Sequence, residues 1–314
     1  MKKILLITTG GPLACTSTPN GLEPTLEGAD ILEAVPELAE LCQAQVEDAF
    51  TIDSTNMLPR HWQQLAAIIN DAYNDFDGFV ITHGTDTLAY TAAALSKMLQ
   101  NLGKPVILTG SQLPLGYANS DARTNVQLAF SMAVGNLPGV FVAFGNKVIK
   151  GHLAKKIFSK NFNAFESVNE PPVLFFTKEG LKKNLALAQP TGNFNVNNQL
   201  DTRVLVLTIK PGSSATMLEH AVTDGYKGVV LECFGAGGVP LGEATWLPAL
   251  KKAHAAGVRI VCVSQCLFDG VDLDIYPMGK AAAKLGVESG GTKTVEAALV
   301  DLMWELGQGN KVNK

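Results

Sequence analysis

Short apolar runs alternate with amphipathic segments along most of this chain, and this alternation restricts the fold more than any other feature. A run that is apolar throughout is typical of a strand buried on both faces, and residues 4–8 and 105–109 are of this kind. The segment that begins at Pro59 carries apolar residues at helical spacing. The N-terminal part therefore predicts strands at 4–8, 49–52, 78–81, 105–109 and 139–143, and helices from Pro59, at 87–100 and at 121–134. Strands separated by helices of this length indicate a mainly parallel, doubly wound sheet.

The pattern weakens between residues 180 and 198, where Pro, Gly and Asn are frequent, and it then resumes. The second part predicts strands at 204–209, 228–233 and 258–264, and helices at 214–222, 244–256 and 292–306. The expected fold is α/β, with a larger N-terminal domain at 1–187, a linker at 188–202 and a smaller C-terminal α/β domain at 203–314.

Composition excludes several classes of partner. The 314 residues carry a net charge of −4 and no run of Lys or Arg, so neither nucleic acid nor an anionic membrane surface would find a basic patch. No apolar run reaches the length of a transmembrane helix. The five cysteines form no CxxC pair and are odd in number, which indicates reduced thiols in a cytoplasmic protein.

Polar turns follow four of the predicted N-terminal strands. They lie at residues 8–11, 53–56, 82–86 and 109–112, and each contains hydroxyl side chains. Ligands of open parallel sheets bind outside the carboxyl ends of the strands, which is where these turns must lie. The four turns together predict a binding site for a small polar molecule.

The motifs narrow the chemistry of that site. The glycines at 10 and 11 fit neither GxGxxG nor GxxxxGK[ST], so a nucleotide-phosphate site is unsupported. HExxH, metal-spaced Cys/His sets and GxSxG are also missing from the sequence. His83 has no evident orienting partner and is interpreted as a packed, hydrogen-bonded residue rather than a general base. The chemistry that these exclusions leave is attack by a hydroxyl nucleophile that Lys and Asp activate.

At these residues the chain resembles the bacterial L-asparaginase family, especially its cytoplasmic members. Residues 81–90, ITHGTDTLAY, are similar to the family's second signature, and residues 53–57, DSTNM, to its substrate-anchoring turn. Residues 104–112 are similar to the segment after that signature, and residues 20–24 to the mobile N-terminal lid. The resemblance covers nearly the whole chain and is most specific in residues 50–135.

The resemblance implies hydrolysis of L-asparagine to L-aspartate and ammonia, without a cofactor or metal, by a homodimer or homotetramer. Thr85, Asp86 and Lys156 would form a catalytic group. The position of Lys156 depends on the alignment near residue 163, because Lys155 and Lys160 lie close by. The implied substrate-binding residues are Ser54, Thr55, Asp86, Gly11 and Ser111.

The first signature of the family departs from its usual form here. The family reads Thr-Gly-Gly-Thr-Ile-Ala, whereas this chain has Pro12 where the usual nucleophile stands. Proline has no hydroxyl and no backbone N–H, so it cannot attack a carbonyl. Thr85 or a neighbouring hydroxyl, Thr9 or Thr16, could take over the attack, or Cys15 could stand in. Leu22 is a second departure, at a position where many relatives have a nucleophile-orienting Tyr.

Two alternatives to an active L-asparaginase follow from Pro12 and from the resemblance. One is a catalytically weak or inactive protein that binds asparagine or aspartate on the same scaffold. The other is the ammonia-supplying component of a tRNA-dependent amidotransferase, which is similar in this region but carries an extra N-terminal domain. The asparaginase signature begins near residue 4 here, so that extra domain is expected to be absent, which argues against the amidotransferase component.

Overall fold

The computed structural model describes residues 1–19, 21–177, 180–184, 187, 189–243 and 245–309. The side chains at 17, 18, 22, 24 and 181 are not among those described, so the expectation for Leu22 lies outside the described residues. The start of the predicted helix at 244 also lies outside them. The chain divides into two compact units, Met1–Asn198 and a second that begins at Gln199.

The first unit is built from fourteen described strands and five helices. The strands are β1 (Lys3–Gly10), β2 (Cys15–Thr18), β3 (Gly21–Pro24), β4 (Gln43–Ile52), β5 (Gly78–Thr82), β6 (Leu99–Gln100), β7 (Pro105–Thr109), β8 (Gly139–Phe144), β9 (Lys147–Lys150), β10 (Ala154–Lys156), β11 (Phe165–Ser167), β12 (Leu174–Thr177), β13 (Gly180–Lys183) and β14 (Asn195–Val196). The helices are α1 (Gly28–Ala34), α2 (Leu38–Leu41), α3 (Pro59–Ala72), α4 (Leu88–Met98) and α5 (Ala122–Ala133).

Eight of these strands form one sheet in the order β13-β12-β9-β8-β7-β5-β1-β4. The five strands from β8 to β4 are parallel, and β9, β12 and β13 continue the sheet in antiparallel pairing. All residues of β5 and β7 are buried, as expected for central strands covered on both faces. The prediction of a mainly parallel doubly wound sheet is confirmed in this unit.

The second unit holds a smaller parallel sheet in the order β15-β16-β17-β18. Its elements are β15 (Val204–Thr208), α6 (Thr216–Thr223), β16 (Gly228–Cys233), α7 (Leu247–Ala255), β17 (Arg259–Ser264), α8 (Pro277–Ala283), β18 (Val287–Ser289) and α9 (Val295–Gly307). Each parallel pair is joined through a helix, because parallel neighbours need a crossover connection. The predicted smaller α/β domain is therefore confirmed as a fold class.

Two details of the first unit differ from the sequence prediction. The second strand of the sheet is β4, which begins at Gln43, six residues before the predicted start. Its burial alternates irregularly because it lies at the edge of the sheet, so its sequence lacks a continuous apolar run. Within the predicted linker, Asn195 and Val196 form β14, which pairs with β6, and the Phe194 ring stacks on Tyr73 at 3.8 Å.

The helices in the described part of the chain are all too short or too polar to cross a membrane.

Candidate active site

The carboxyl ends of three central strands of the first unit lie side by side, with β5 and β7 ending level and β1 continuing to Gly10. Thr8 of β1 pairs in register with Thr82 of β5, and Thr82 pairs with Thr109 of β7. Because these strands are parallel, the polar turns that follow them lie at one edge of the sheet. The polar turns that follow these three strands therefore lie together, as the sequence predicted for a binding site.

The glycines of these turns allow the backbones to pack in direct contact. A Cβ on Gly11 would lie 2.5 Å from the Gly84 Cα, and a Cβ on Gly84 would lie 2.6 Å from the Ser54 Oγ. Gly11 also has φ of +83°, which residues with a side chain rarely adopt. Gly84 thus lies between the turn after β1 and the turn after β4. Any larger residue at 11 or 84 would force these turns apart.

Thr85 lies in this contact region and shares a lysine with Asp86. Lys156, the last residue of β10, donates from Nζ to the Thr85 Oγ1 at 2.7 Å and to the Asp86 Oδ1 at 2.7 Å. The side chain of Lys156 is 18% exposed, whereas that of Asp86 is 58% exposed. One amine therefore contacts both a buried hydroxyl and a carboxylate that is open to solvent.

The turn after β4 holds Ser54 and Thr55, two of the residues that the resemblance implies bind the substrate. Ser54 is buried and begins a short 3₁₀ turn, while Thr55 is exposed. Asp53 caps this turn, since its carboxylate accepts the Thr55 N–H and the Thr55 hydroxyl, both at 2.8 Å. The Thr87 hydroxyl donates to the Ser54 carbonyl at 2.8 Å and ties this turn to the one after β5.

Pro12 occupies the first position of a 3₁₀ turn, Pro12–Ala14, that follows Gly11. A backbone N–H at this position has no partner within the turn, so a proline is tolerated there. Because Gly11 contacts Gly84, the backbone at Pro12 approaches the Thr85 turn. Residue 12 therefore brings no hydroxyl to the place where the family's nucleophile is expected.

The other candidate nucleophiles near Pro12 already form hydrogen bonds with other groups of the protein. Thr9 is buried and donates to the Thr82 carbonyl at 2.8 Å, and Thr16 shares a hydrogen bond with Thr25. The Cys15 thiol is buried and donates to the Gly11 carbonyl at 3.3 Å. Burial, reinforced by the Asp53 charge, raises the pKa of this thiol and disfavours the thiolate. The basic nitrogen of Lys156 contacts the Thr85 hydroxyl instead.

Ser111 is fully buried, and its hydroxyl donates to the Leu113 carbonyl at 2.5 Å, so it shapes the turn after β7. Asp121 supports the same turn, because its carboxylate accepts the backbone N–H groups of Gln112 and Leu113 at 3.0 and 3.1 Å. Asp121 also occupies the cap position of α5, but its carboxylate makes no capping bond there.

His83 lies at the centre of a buried chain of hydrogen bonds. The Trp62 Nε1 donates to the Thr91 Oγ1 at 3.0 Å, Thr91 contacts the His83 Nε2 at 2.8 Å, and the His83 Nδ1 contacts the Gly84 carbonyl at 2.7 Å. A carbonyl only accepts, so Nδ1 carries the proton, and neutral His83 then accepts the Thr91 hydroxyl at Nε2. The interpretation of His83 as a packed, hydrogen-bonded residue is confirmed.

Burial lowers the pKa of His83 from 6.5 to about 4. The unfolded chain then binds more protons than the folded chain between these values. Stability is unaffected by this group above about pH 6.5, falls as the pH decreases, and stops falling below about pH 4.

We expect His83 to account for a loss of about 2 kcal/mol in the free energy of unfolding between pH 7 and pH 5. Urea unfolding at both pH values, compared with the His83→Asn variant, isolates this contribution from other groups. An equal pH dependence in the two proteins would contradict the assignment.

The sequence missed the partners of His83, Trp62 and Thr91, and also the role of Asn125. Trp62 and Thr91 come from α3 and α4, and their contact depends on how these helices pack on each other. Asn125 donates to the Gly110 carbonyl at 2.9 Å and accepts the Gly145 N–H at 2.9 Å. No local pattern in the sequence signals either arrangement. Within the described residues, no group of three or more His, Cys, Asp and Glu side chains is placed to hold a metal ion.

Models of known protein families match both units of the chain. The family model "Asparaginase, N-terminal" matches residues 3–188, and the model "Glutaminase/Asparaginase C-terminal domain" matches residues 203–314. This chain belongs to the asparaginase family.

Individual relatives match over nearly the whole chain. An L-asparaginase of Thermococcus kodakarensis is 37% identical over 97% of this chain and 93% of that protein. A solved structure of a thermostable L-asparaginase from Thermococcus kodakarensis is 35% identical and superposes with a TM-score of 0.90, covering 99% of this chain and 94% of the solved one. L-asparaginase 1 of Escherichia coli is 36% identical over 98% of this chain and 92% of the relative. A glutamyl-tRNA(Gln) amidotransferase component of Pyrococcus furiosus is 33% identical over 99% of this chain, but over only 73% of the relative.

Proposed function

We propose that this protein is an L-asparaginase, which hydrolyses the side-chain amide of L-asparagine to give L-aspartate and ammonia. The observation that carries the proposal is the lysine shared by Thr85 and Asp86, with Lys156 Nζ 2.7 Å from each side-chain oxygen. A hydroxyl next to a basic nitrogen that is itself held by a carboxylate is the arrangement of an activated nucleophile. The family membership and the names of the relatives support the same reaction.

In the proposed mechanism Thr85 attacks the amide carbon of the substrate. In this step the hydrogen bond between the two residues reverses: the Thr85 hydroxyl gives its proton to the unprotonated form of the Lys156 amine, and a bond forms between Thr85 Oγ1 and the amide carbon. The tetrahedral intermediate collapses when the C–N bond breaks, and Lys156 returns the proton to the departing ammonia. Water then hydrolyses the ester, which releases aspartate and restores the Thr85 hydroxyl.

The turn after β4 supplies the groups proposed to hold the substrate. Ser54 and Thr55 would bind its α-carboxylate and α-amino groups, and the exposed carboxylate of Asp86 would pair with the ammonium. The contact between Gly11 and Gly84 brings the turn after β1 against this region, so its backbone would form a wall of the site. We place the protein in the cytoplasm as a homodimer or homotetramer. All five cysteines carry free thiols, four of them buried, which suits a reducing compartment.

A coupled ammonia assay on the purified protein with L-asparagine tests the proposal. Since Pro12 removes the usual hydroxyl, we expect a turnover number below the range of about 1–10³ s⁻¹ that is typical of enzymes. Lys156→Met, which keeps the length of the side chain but removes its amine, should abolish this activity. Stabilisation by aspartate in a melting assay without ammonia release would indicate a binding protein instead. Neither stabilisation nor ammonia release would overturn both interpretations.

A further inference from the structure

The buried hydrogen-bond chain through His83 ends on the peptide group that precedes Thr85. Its members come from three elements: Trp62 from α3, Thr91 from α4, and His83 from the turn after β5. Trp62, Thr91 and His83 are at most 5% exposed, so water does not compete for these bonds. All hydrogen bonds in this series donate in the same direction, because the indole N–H of Trp62 at one end only donates and the Gly84 carbonyl at the other end only accepts.

The bond to Gly84 fixes the direction of one peptide plane. In a trans peptide the C=O and the following N–H point in opposite directions. When the His83 ring holds the Gly84 carbonyl, the Thr85 N–H must point away from that ring. Glycine restricts its own backbone less than any other residue. The orientation of this peptide therefore depends on contacts from outside, and the His83 Nδ1 at 2.7 Å is one that acts directly on it.

We propose that His83 is a positioning residue, which orients the Gly84–Thr85 peptide and thereby places the Thr85 hydroxyl against Lys156. This inference rests on the proposed function, in which Thr85 and Lys156 carry the chemistry. His83 touches neither the substrate nor the reacting atoms. It acts through the carbonyl next to Thr85, and Trp62 and Thr91 keep its ring in the tautomer that can donate there.

Two substitutions separate this role from a merely structural one. His83→Asn keeps an N–H near the position of Nδ1, so it can still donate to Gly84, but it cannot reach Thr91. His83→Gln reaches Thr91 but offers no donor near the position of Nδ1. Each variant loses one buried bond and part of the ring, so we expect similar decreases in melting temperature.

The two variants should differ in catalysis although they resemble each other in stability. For His83→Gln we expect kcat to fall by on the order of 10²-fold, the effect of a small misplacement of a reacting group, with little change in KM. For His83→Asn we expect kcat close to that of the unsubstituted protein. An equal fall in kcat in both variants would overturn the proposal.

Nitrogen-15 NMR provides readouts that do not require turnover. In the unsubstituted protein the His83 imidazole should carry its proton on Nδ1, and the Thr85 amide resonance should move in His83→Gln but not in His83→Asn. A proton on Nε2, or equal movement of the Thr85 amide in both variants, would refute the positioning role. If the unsubstituted protein releases no ammonia, the proposed function fails, while these resonances still decide the role of His83.

Discussion

Thr85→Val is expected to slow ammonia release from L-asparagine by at least about 10³-fold, because it removes the nucleophile while the family's usual one is already replaced by Pro12. Valine has nearly the shape of threonine, and Thr85 is 5% exposed, so packing should be preserved. The Lys156 amine would lose its hydroxyl partner and keep the bond to Asp86. The measurement is kcat by the coupled ammonia assay, with the melting temperature as a check on folding.

Thr85→Ser is the matched control, since it keeps a hydroxyl within reach of Lys156 and should retain a substantial part of the activity. Mass spectrometry of the quenched reaction should find an aspartyl ester on the peptide that contains Thr85. Turnover that is unchanged in Thr85→Val would contradict the proposed role of this residue.

Pro12→Thr is expected to raise the turnover number by on the order of 10²-fold or more, because it returns a hydroxyl to the position of the family's usual nucleophile. The backbone favours this substitution. Residue 12 is the first of a 3₁₀ turn, where the N–H gained by threonine needs no partner within the turn. The preceding Gly11 keeps the φ of +83° on which the contact with Gly84 depends. Steady-state kinetics with L-asparagine measure the gain.

Pro12→Val separates the hydroxyl from the loss of the proline ring. Valine matches threonine in shape and restores the same backbone freedom, so activity in this variant should stay near the level of the unsubstituted protein. If valine and threonine raise turnover equally, stiffness of the loop rather than the missing hydroxyl limits the rate. If neither changes it, Pro12 does not limit turnover at all.

The central strands were predictable because a short run of apolar residues directly indicates a strand that is buried on both faces. Each residue of β5 and β7 is apolar or ends the strand as a threonine, and burial on both faces needs no more information than that. The edge strand β4 was predicted too short, since an edge strand has an exposed side and its residues need not be apolar. The helix from Pro59 began where predicted, because proline suits the first turn of a helix.

For the site as well, the sequence predicted some of the residues and left others to the tertiary structure. The family signatures pointed to Thr85, Asp86 and Ser54, and the polar turns at strand ends indicated where a ligand would lie. The sequence alone does not single out Lys156, because three lysines lie close together and their spacing does not tell which one reaches Thr85. The structure brings Lys156 to 2.7 Å from the Thr85 hydroxyl through the pairing of β10 with β11.

The sequence by itself determined the family, through its signature motifs, and the parallel α/β architecture, through the alternation of apolar and amphipathic segments. It also determined the loss of a hydroxyl at Pro12, which depends on the residue type at one position. Only the tertiary structure decided that Thr9 and Cys15 are engaged with backbone carbonyls and that a lysine reaches Thr85. It also decided that Trp62 and Thr91 support His83. These contacts join residues up to 73 positions apart, from Thr9 to Thr82. Distances between such residues are set by how strands and helices pack, and no local pattern records them.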